Sequence, residues 1–299
     1  SGVLDSMKTR AGGGYALLRR REFLQMAGRA GRRGMDAAGF VYLRINPVNV
    51  GHAEVQHLLS AIPEPVHSRF NTAYATLLNL YRRHGRALLD LFPNTLYYFQ
   101  TTGTRRQAGL HLMQRKLDLL ASMGYLAGNR LTPKGEFGSW LYGHELLLGE
   151  LHAQRSLVDL DPLQLAVLLT AIVYEPRPTT PPQKSHRLSK QLAEVCSAPM
   201  HRIHKEETRY QILPKSKSPA FHLSHAMDAW MQKTPFATLT KWCTADEGEI
   251  VRYFRMVVQL LRQLMEAPGG EDALRSTAEK ALRRINRDVV DAEAQLRLG

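Results

Sequence analysis

The spacing of apolar residues changes character several times along the 299-residue chain. Gly39-Phe40-Val41-Tyr42-Leu43-Arg44-Ile45 is a β-branched and aromatic run that stops at Asn46-Pro47, which predicts a strand. With a short strand from Val3, a loop around Gly12 to Gly14 and a helix beginning near Arg21, it reads as part of an α/β layer over residues 1–62. From Val66 the period becomes helical: Val66, Phe70, Ala73, Leu77 and Tyr81 fall on one face, and Gly85 follows as a C-cap. Leu110, Met113, Leu117 and Leu120 form another helical face, ended by Gly124. Tyr125 to Thr132 then reads as a strand, a turn at Gly128-Asn129, and a second strand.

A helix followed by a small hairpin fits a winged helix, and equally any hairpin packed on a helix. Beyond Gly138 the pattern is helical. Asp161-Pro162 offers an N-cap and a first-turn proline to a helix running to Tyr174, and the prolines between Pro176 and Pro182 end it. Lys184 to Lys217 is basic, is broken by Pro199 and Pro214, and reads as an exposed excursion within a basic insertion of about residues 176–225. Thr244-Ala245-Asp246-Glu247 is a capping box for a helix that turns Ile250, Phe254, Val257, Leu261 and Leu264 inward. After Gly269-Gly270, a last helix aligns Leu274, Ala278, Ala281, Ile285, Val289 and Leu296.

Composition adds limits to this picture. Apolar residues make up 44% of the chain, enough for cores in two or three modest domains. The longest strongly apolar stretch, Leu163 to Tyr174, is about 12 residues against the roughly 20 a spanning helix needs, so a soluble chain with no membrane partner is expected. Cys196 and Cys243 lack close partners, which argues against a disulfide framework and for a reducing, cytoplasmic setting. Forty Lys and Arg against 27 Asp and Glu leave +13, a balance suited to a phosphate-bearing partner. The opening Ser1-Gly2-Val3 shows no signal peptide and reads as the start of a piece of something longer. No G-x-x-x-x-G-K-[ST] phosphate loop occurs, since Tyr15 and Ala16 follow Gly12-Gly13-Gly14, so the chain alone is expected to bind nucleotide poorly.

The most specific string is Gln25-Met26-Ala27-Gly28-Arg29-Ala30-Gly31-Arg32-Arg33-Gly34-Met35-Asp36. Glycines at intervals of three let a helix end approach another surface closely, and Arg29 and Arg32 carry planar, permanently charged groups suited to phosphate. A solvated basic helix terminus would account for the charge but not for the order Q-x-x-G-R-x-G-R.

This string resembles motif VI of superfamily-two helicases. The longer run from Glu22 is similar to the form in DExH-box RNA helicases of the superkiller and exosome-associated type. Ser68 to Tyr74, Leu77 to Leu80 and Tyr97 to Gln100 resemble the entry to that family's winged helix. Glu145 to Leu148, Leu160 to Tyr174, Glu247 to Arg252 and Ile285 to Val290 resemble its C-terminal helical domain. The resemblance implies a mixed, mostly α fold: a fragment of the second RecA-like domain at 1–62, a winged helix at 63–138, and a helical bundle with a ratchet helix at 139–299. It also implies that the parent protein uses ATP and Mg, neither of which is expected on this chain alone. Arg32, Arg29 and Gln25 fall on the family's catalytic positions, with Gly28 and Arg33 completing the ATP-facing set; Arg32 matches the arginine finger and Gln25 the contact near the attacking water. The phosphate loop, the DExH motif and the N-terminal RecA-like domains would be partners supplied by the rest of that protein.

Two departures stand out. Only about ten residues separate Gln100 from the helix containing Leu110, too few for the arch domain of eukaryotic relatives, so no arch-mediated partner is expected. In the helix matching the ratchet, Arg252, Arg255, Gln259 and Arg262 form a polar stripe for single-stranded RNA, while Met256 stands where relatives often place a base-contacting arginine. Composition does not separate RNA from DNA. Cys196, His186, His201 and His204 lack a second cysteine pair, so no metal site is expected. Trp230 and Trp242, near Lys233 and Lys241, suit bundle packing better than base stacking. The competing functional reading is a stand-alone winged-helix nucleic-acid-binding or adaptor protein without ATPase activity.

Overall fold

The computed structural model describes residues 2–11, 14–31, 34–68, 70–177, 180–181 and 186–293. It is mostly helical, and its contacts divide it into two units, residues 1–68 and 69–299.

In the first unit, β1 (Gly2–Leu4) pairs in parallel with β4 (Val41–Leu43), in the register Gly2 to Val41. Between them β2 (Lys8–Ala11) and β3 (Gly14–Leu17) form an antiparallel hairpin, followed by α1 (Arg20–Ala27). The N-terminus of α1 is satisfied from two sides. Glu22 accepts the Arg19 N–H at 2.9 Å, and the Glu64 carboxylate accepts the N–H groups of Arg20 and Arg21 at 3.0 Å each, which lowers the Glu64 pKa. Met7, Leu18, Phe23, Val50 and, from α2 (His52–Ser60), Leu58 make a small core. The strand expected over Gly39 to Ile45 is trimmed to three residues because Gly39 is pressed against the α1 turn. A Cβ on Gly39 would stand 1.6 Å from the Ala30 carbonyl oxygen.

The second unit has one continuous core running from Tyr74 to Val290. It begins with α3 (Tyr74–His84), a 3-10 segment (Gly85–Asn94), α4 (Leu96–Gln100) and α5 (Gly103–Ser122). The chain reverses at Gly124, with φ +78°, into the hairpin of β5 (Leu126–Ala127) and β6 (Arg130–Leu131). Thr132 caps α6 (Pro133–Gly138) by accepting the Gly135 N–H at 3.1 Å. Then come α7 (Glu145–Ala153) and α8 (Pro162–Val173), the latter capped by Asp161 as expected. Buried almost all round from Leu165 to Val173, α8 is the post on which α9 (Arg187–Arg209), α10 (Ser224–Met231), α11 (Glu247–Glu266) and α12 (Asp272–Ile285) pack.

Two expectations are corrected. The helical face from Val66 does not begin there: α3 starts at Tyr74, and Val66 is exposed. The residues just before α3 are held in a non-helical path by α5, whose Lys116 Nζ donates to the side-chain oxygen Asn71 Oδ1 at 2.8 Å and to the Thr72 carbonyl at 2.7 Å. The described part of the stretch from Lys184 to Lys217, residues 186–217, is not an exposed excursion either. Its α9 runs 23 residues with Pro199 inside, and Leu192, Cys196, Pro199, Met200 and Ile203 are buried. An interior proline costs a helix about 3 kcal/mol, and burial of this apolar face offsets it.

Candidate functional site

At the end of α1, Gln25, Gly28 and Arg29 are all exposed, with Gln25 and Arg29 one helical turn apart. The helix closes tightly: Gly28 N–H donates to Leu24 O at 2.8 Å, Arg29 N–H to Met26 O at 3.0 Å and Ala30 N–H to Ala27 O at 2.9 Å. Ala30 is buried beneath β1, so the turn is anchored while the Arg29 side chain projects to solvent. Arg32 and Arg33 lie outside the described residues. The described part of the site therefore presents an amide and a guanidinium whose hydrogen-bonding capacity faces water.

The polar stripe of α11 divides in two. Asp246 caps the helix by accepting the Glu249 N–H at 2.7 Å, and Ile250, Phe254, Val257, Leu261 and Leu264 are fully buried. Opposite them, Arg252 and Gln259 are exposed. Arg255, by contrast, donates from Nε to the Val290 carbonyl at 3.2 Å and from Nη2 to the Val289 carbonyl at 2.7 Å, and Arg262 pairs with Glu293 at 3.0 Å. Met256 is half-buried and packs against the core rather than standing clear of it. The chain's own C-terminal segment thus occupies two of the four polar side chains.

A buried polar cluster joins the start of α3 to α5, α7 and α9. Glu145 accepts the Ala75 N–H at 2.8 Å and the Gly143 N–H at 3.0 Å; Glu207 accepts from Ser216 Oγ at 2.6 Å and from Tyr74 Oη at 3.3 Å. Burial raises the Glu145 pKa and lowers that of Lys116, each partly opposed by the other's charge. Nearby, Lys134 and Arg202 both pair with the buried Glu150. None of these charges follows an apolar period. The only sequence signal for them is an acidic residue inside an otherwise apolar run, as Glu145 and Glu150 are.

The Cys196 and histidine cluster is dispersed. Burial pushes the Cys196 thiol up to about 12, His204 bonds to the Ser216 carbonyl at 2.8 Å, and His186 meets Asp228 at 3.4 Å. Among the described residues no group of three His, Cys, Asp or Glu could hold a metal ion. Trp230 is a core residue: its Nε1 donates to the Ile285 carbonyl at 2.9 Å, and the Arg287 guanidinium lies 3.4 Å from its ring centroid. No helix among the described residues is long and apolar enough to cross a membrane.

With this arrangement in view, the chain belongs to the DSHCT (NUC185) domain family, which matches residues 128–293, from the hairpin turn through α12. The domain is found in superfamily-two helicases of the Ski2/Mtr4 type. The chain is similar to superkiller complex protein 2 of Homo sapiens, 29% identical over 161 residues that make up 52% of this chain and 12% of that protein. It is also similar to ATP-dependent RNA helicase mtr4 of Schizosaccharomyces pombe, 26% identical over 161 residues, 50% of this chain and 14% of the relative. The mRNA transport homolog 4 of Caenorhabditis elegans is 35% identical over 80 residues, 27% of this chain and 8% of that protein. The chain therefore spans only a small part of the length of these curated relatives.

Proposed function

We propose that the chain is the C-terminal portion of an ATP-dependent RNA helicase that binds single-stranded RNA. In this reading residues 1–62 are the end of the second RecA-like domain, and α5 with the β5–β6 hairpin belongs to a winged helix. The bundle that follows uses α11 as its ratchet. Gln25, Gly28, Arg29, Arg32 and Arg33 face an ATP and Mg held by the remainder of the enzyme, and Arg32 stabilises charge on the transferring phosphoryl group. On α11, Arg252 and Gln259 are the side chains free to meet a strand.

The observation that carries the reading is the coexistence, in one chain, of the DSHCT family match and the string Gln25 to Gly34. The exposed Gln25 and Arg29 support it, because a buried pair could not reach a nucleotide on another surface. In the full-length enzyme, Arg32→Ala should cut ATP hydrolysis about 10³- to 10⁵-fold while RNA affinity holds. The 299-residue chain by itself should turn over no ATP. Hydrolysis by the purified chain, abolished by Arg32→Ala, would overturn this division of labour.

A further inference from the structure

The loop from Ser139 to His144, between α6 and α7, presents two aromatic rings to solvent: Tyr142 is 58% exposed and Trp140 36%. The loop is tied down along its length. Ser139 N–H donates to Gly135 O at 3.0 Å, Trp140 N–H to Phe137 O at 3.3 Å, Leu141 N–H to Gly138 O at 3.1 Å, and Gly143 N–H to Glu145 Oε1 at 3.0 Å. Leu141, between the two rings, is fully buried. The loop backbone is thus anchored, the Tyr142 hydroxyl is held by Asn79, and both aromatic side chains keep part of their surface in water, which forgoes free energy that full burial would return.

Their surroundings are basic and polar. Asn79 on α3 donates from Nδ2 to Ser139 O at 2.9 Å and to Tyr142 Oη at 3.2 Å. Arg82, on the same face of α3, donates to Ser139 Oγ and pairs with Glu136 at 2.6 Å. Arg83, four residues after Asn79 and so beside it on the helix surface, is exposed and makes no ion pair among the described residues. With Arg82 paired to Glu136, Arg83, one turn on from Asn79, is the exposed cation of this part of α3.

We propose that Trp140 and Tyr142, flanked by the Asn79 end of α3 with its exposed Arg83, form a stacking platform for the bases of single-stranded nucleic acid, on elements other than α11. Flat exposed rings accept the π-face of any base, and a guanidinium next to them reaches the phosphate that links one base to the next, a combination that binds a strand with little sequence preference. Charge complementarity favours this occupant over an apolar protein segment, since the surroundings are guanidinium, amide and hydroxyl groups, the carboxylate among them, Glu136, is paired with Arg82, and the whole chain carries +13. The inference rests on the reading that the chain meets single-stranded nucleic acid.

The test titrates the whole chain against a labelled oligouridine and an abasic oligomer of equal length, following fluorescence anisotropy. The double variant Trp140→Ala/Tyr142→Ala should lose about 5- to 100-fold in affinity for oligouridine, the span expected for stacking one base, and nothing for the abasic strand. Trp140→Phe/Tyr142→Phe should retain most of the affinity, which covers the case in which the alanine pair disturbs the loop. Oligouridine binding that is unchanged, or lost equally on the abasic strand, would overturn the platform, return the rings to a protein contact, and leave the nucleic-acid reading standing. If the unaltered chain binds neither oligomer, that wider reading fails as well. Photocrosslinking with 5-iodouridine should label peptides containing Trp140 or Tyr142, and labels confined to other peptides would count against the proposal.

Discussion

At the end of α1, Arg29 stands in water beside Gln25, whereas on α11 Arg255 and Arg262 are already engaged by the chain's own C-terminal segment. In sequence the two regions look alike, each a set of arginines at helical spacing. Physically they differ in what a phosphate must displace. At Arg29 it displaces solvent. At Arg255 it would have to break two charge-assisted hydrogen bonds to the Val289 and Val290 carbonyls, a cost of about 1.5–3 kcal/mol per bond before any new contact forms. Helical spacing therefore ranks residues as outward-facing without ranking them as available.

Substitutions at these positions test the contrast, and the largest effect is expected at Arg255. Arg255→Ala strands the carbonyls of Val289 and Val290 and should destabilise the second unit by about 2–3 kcal/mol, or some 5–10 °C in melting temperature, with Arg255→Lys a poor substitute for the forked donor. A melting temperature indifferent to Arg255→Ala would show that the side chain is as free as Arg29.

A smaller, pH-dependent effect is expected at Glu145, where burial disfavours the charged form, whereas Arg29 is solvated. Burial raises its pKa above the ordinary 4.5, so between 4.5 and the raised value the folded chain holds a proton that the unfolded chain has released. Stability from this group is complete below 4.5 and falls as pH rises through the folded value. Glu145→Gln keeps an acceptor for Ala75 and Gly143 and removes the titration. Its melting temperature relative to the parent should therefore climb as the pH rises above 4.5. A flat difference would mean that Lys116 and the two amides fully offset the burial.

The smallest effects separate the exposed cations. Arg262→Ala removes a half-exposed ion pair and should cost about 0–1 kcal/mol, less at high salt. Arg29→Ala should leave stability within about 0.5 kcal/mol of the parent by thermal melting. If Arg29→Ala destabilises more than Arg262→Ala, the contrast between the two regions is reversed.

Local patterns were legible where they act through near neighbours. The apolar face of α11 from Ile250 to Leu264, the Asp161 cap, the Gly124 reversal and the β5–β6 hairpin all follow from spacing and turn chemistry. What could not be read depends on partners far away in sequence. Arg255 is taken by carbonyls more than thirty positions later, the start of α3 is set by Lys116 and Glu145, and α9 continues through Pro199 because α7 and α8 bury its inner face. At the end of α1, the sequence singled out Gln25 and Arg29 as candidates, and the structure adds their exposure and the anchoring of the turn at Ala30.

The contact between Gly39 and Ala30 has a kinematic consequence. Because a methyl group at 39 would meet the Ala30 carbonyl oxygen at 1.6 Å, the chain leaves α1 and returns to β4 through the same point, like a cord drawn through a ring. A segment closed in this way transmits little of its own length to the elements that bear it. Adding residues between 31 and 38 should barely disturb α1 or β4, since closure entropy grows only slowly with length. A single carbon added at Gly39, by contrast, would force the ring open and shift the turn that carries Arg29.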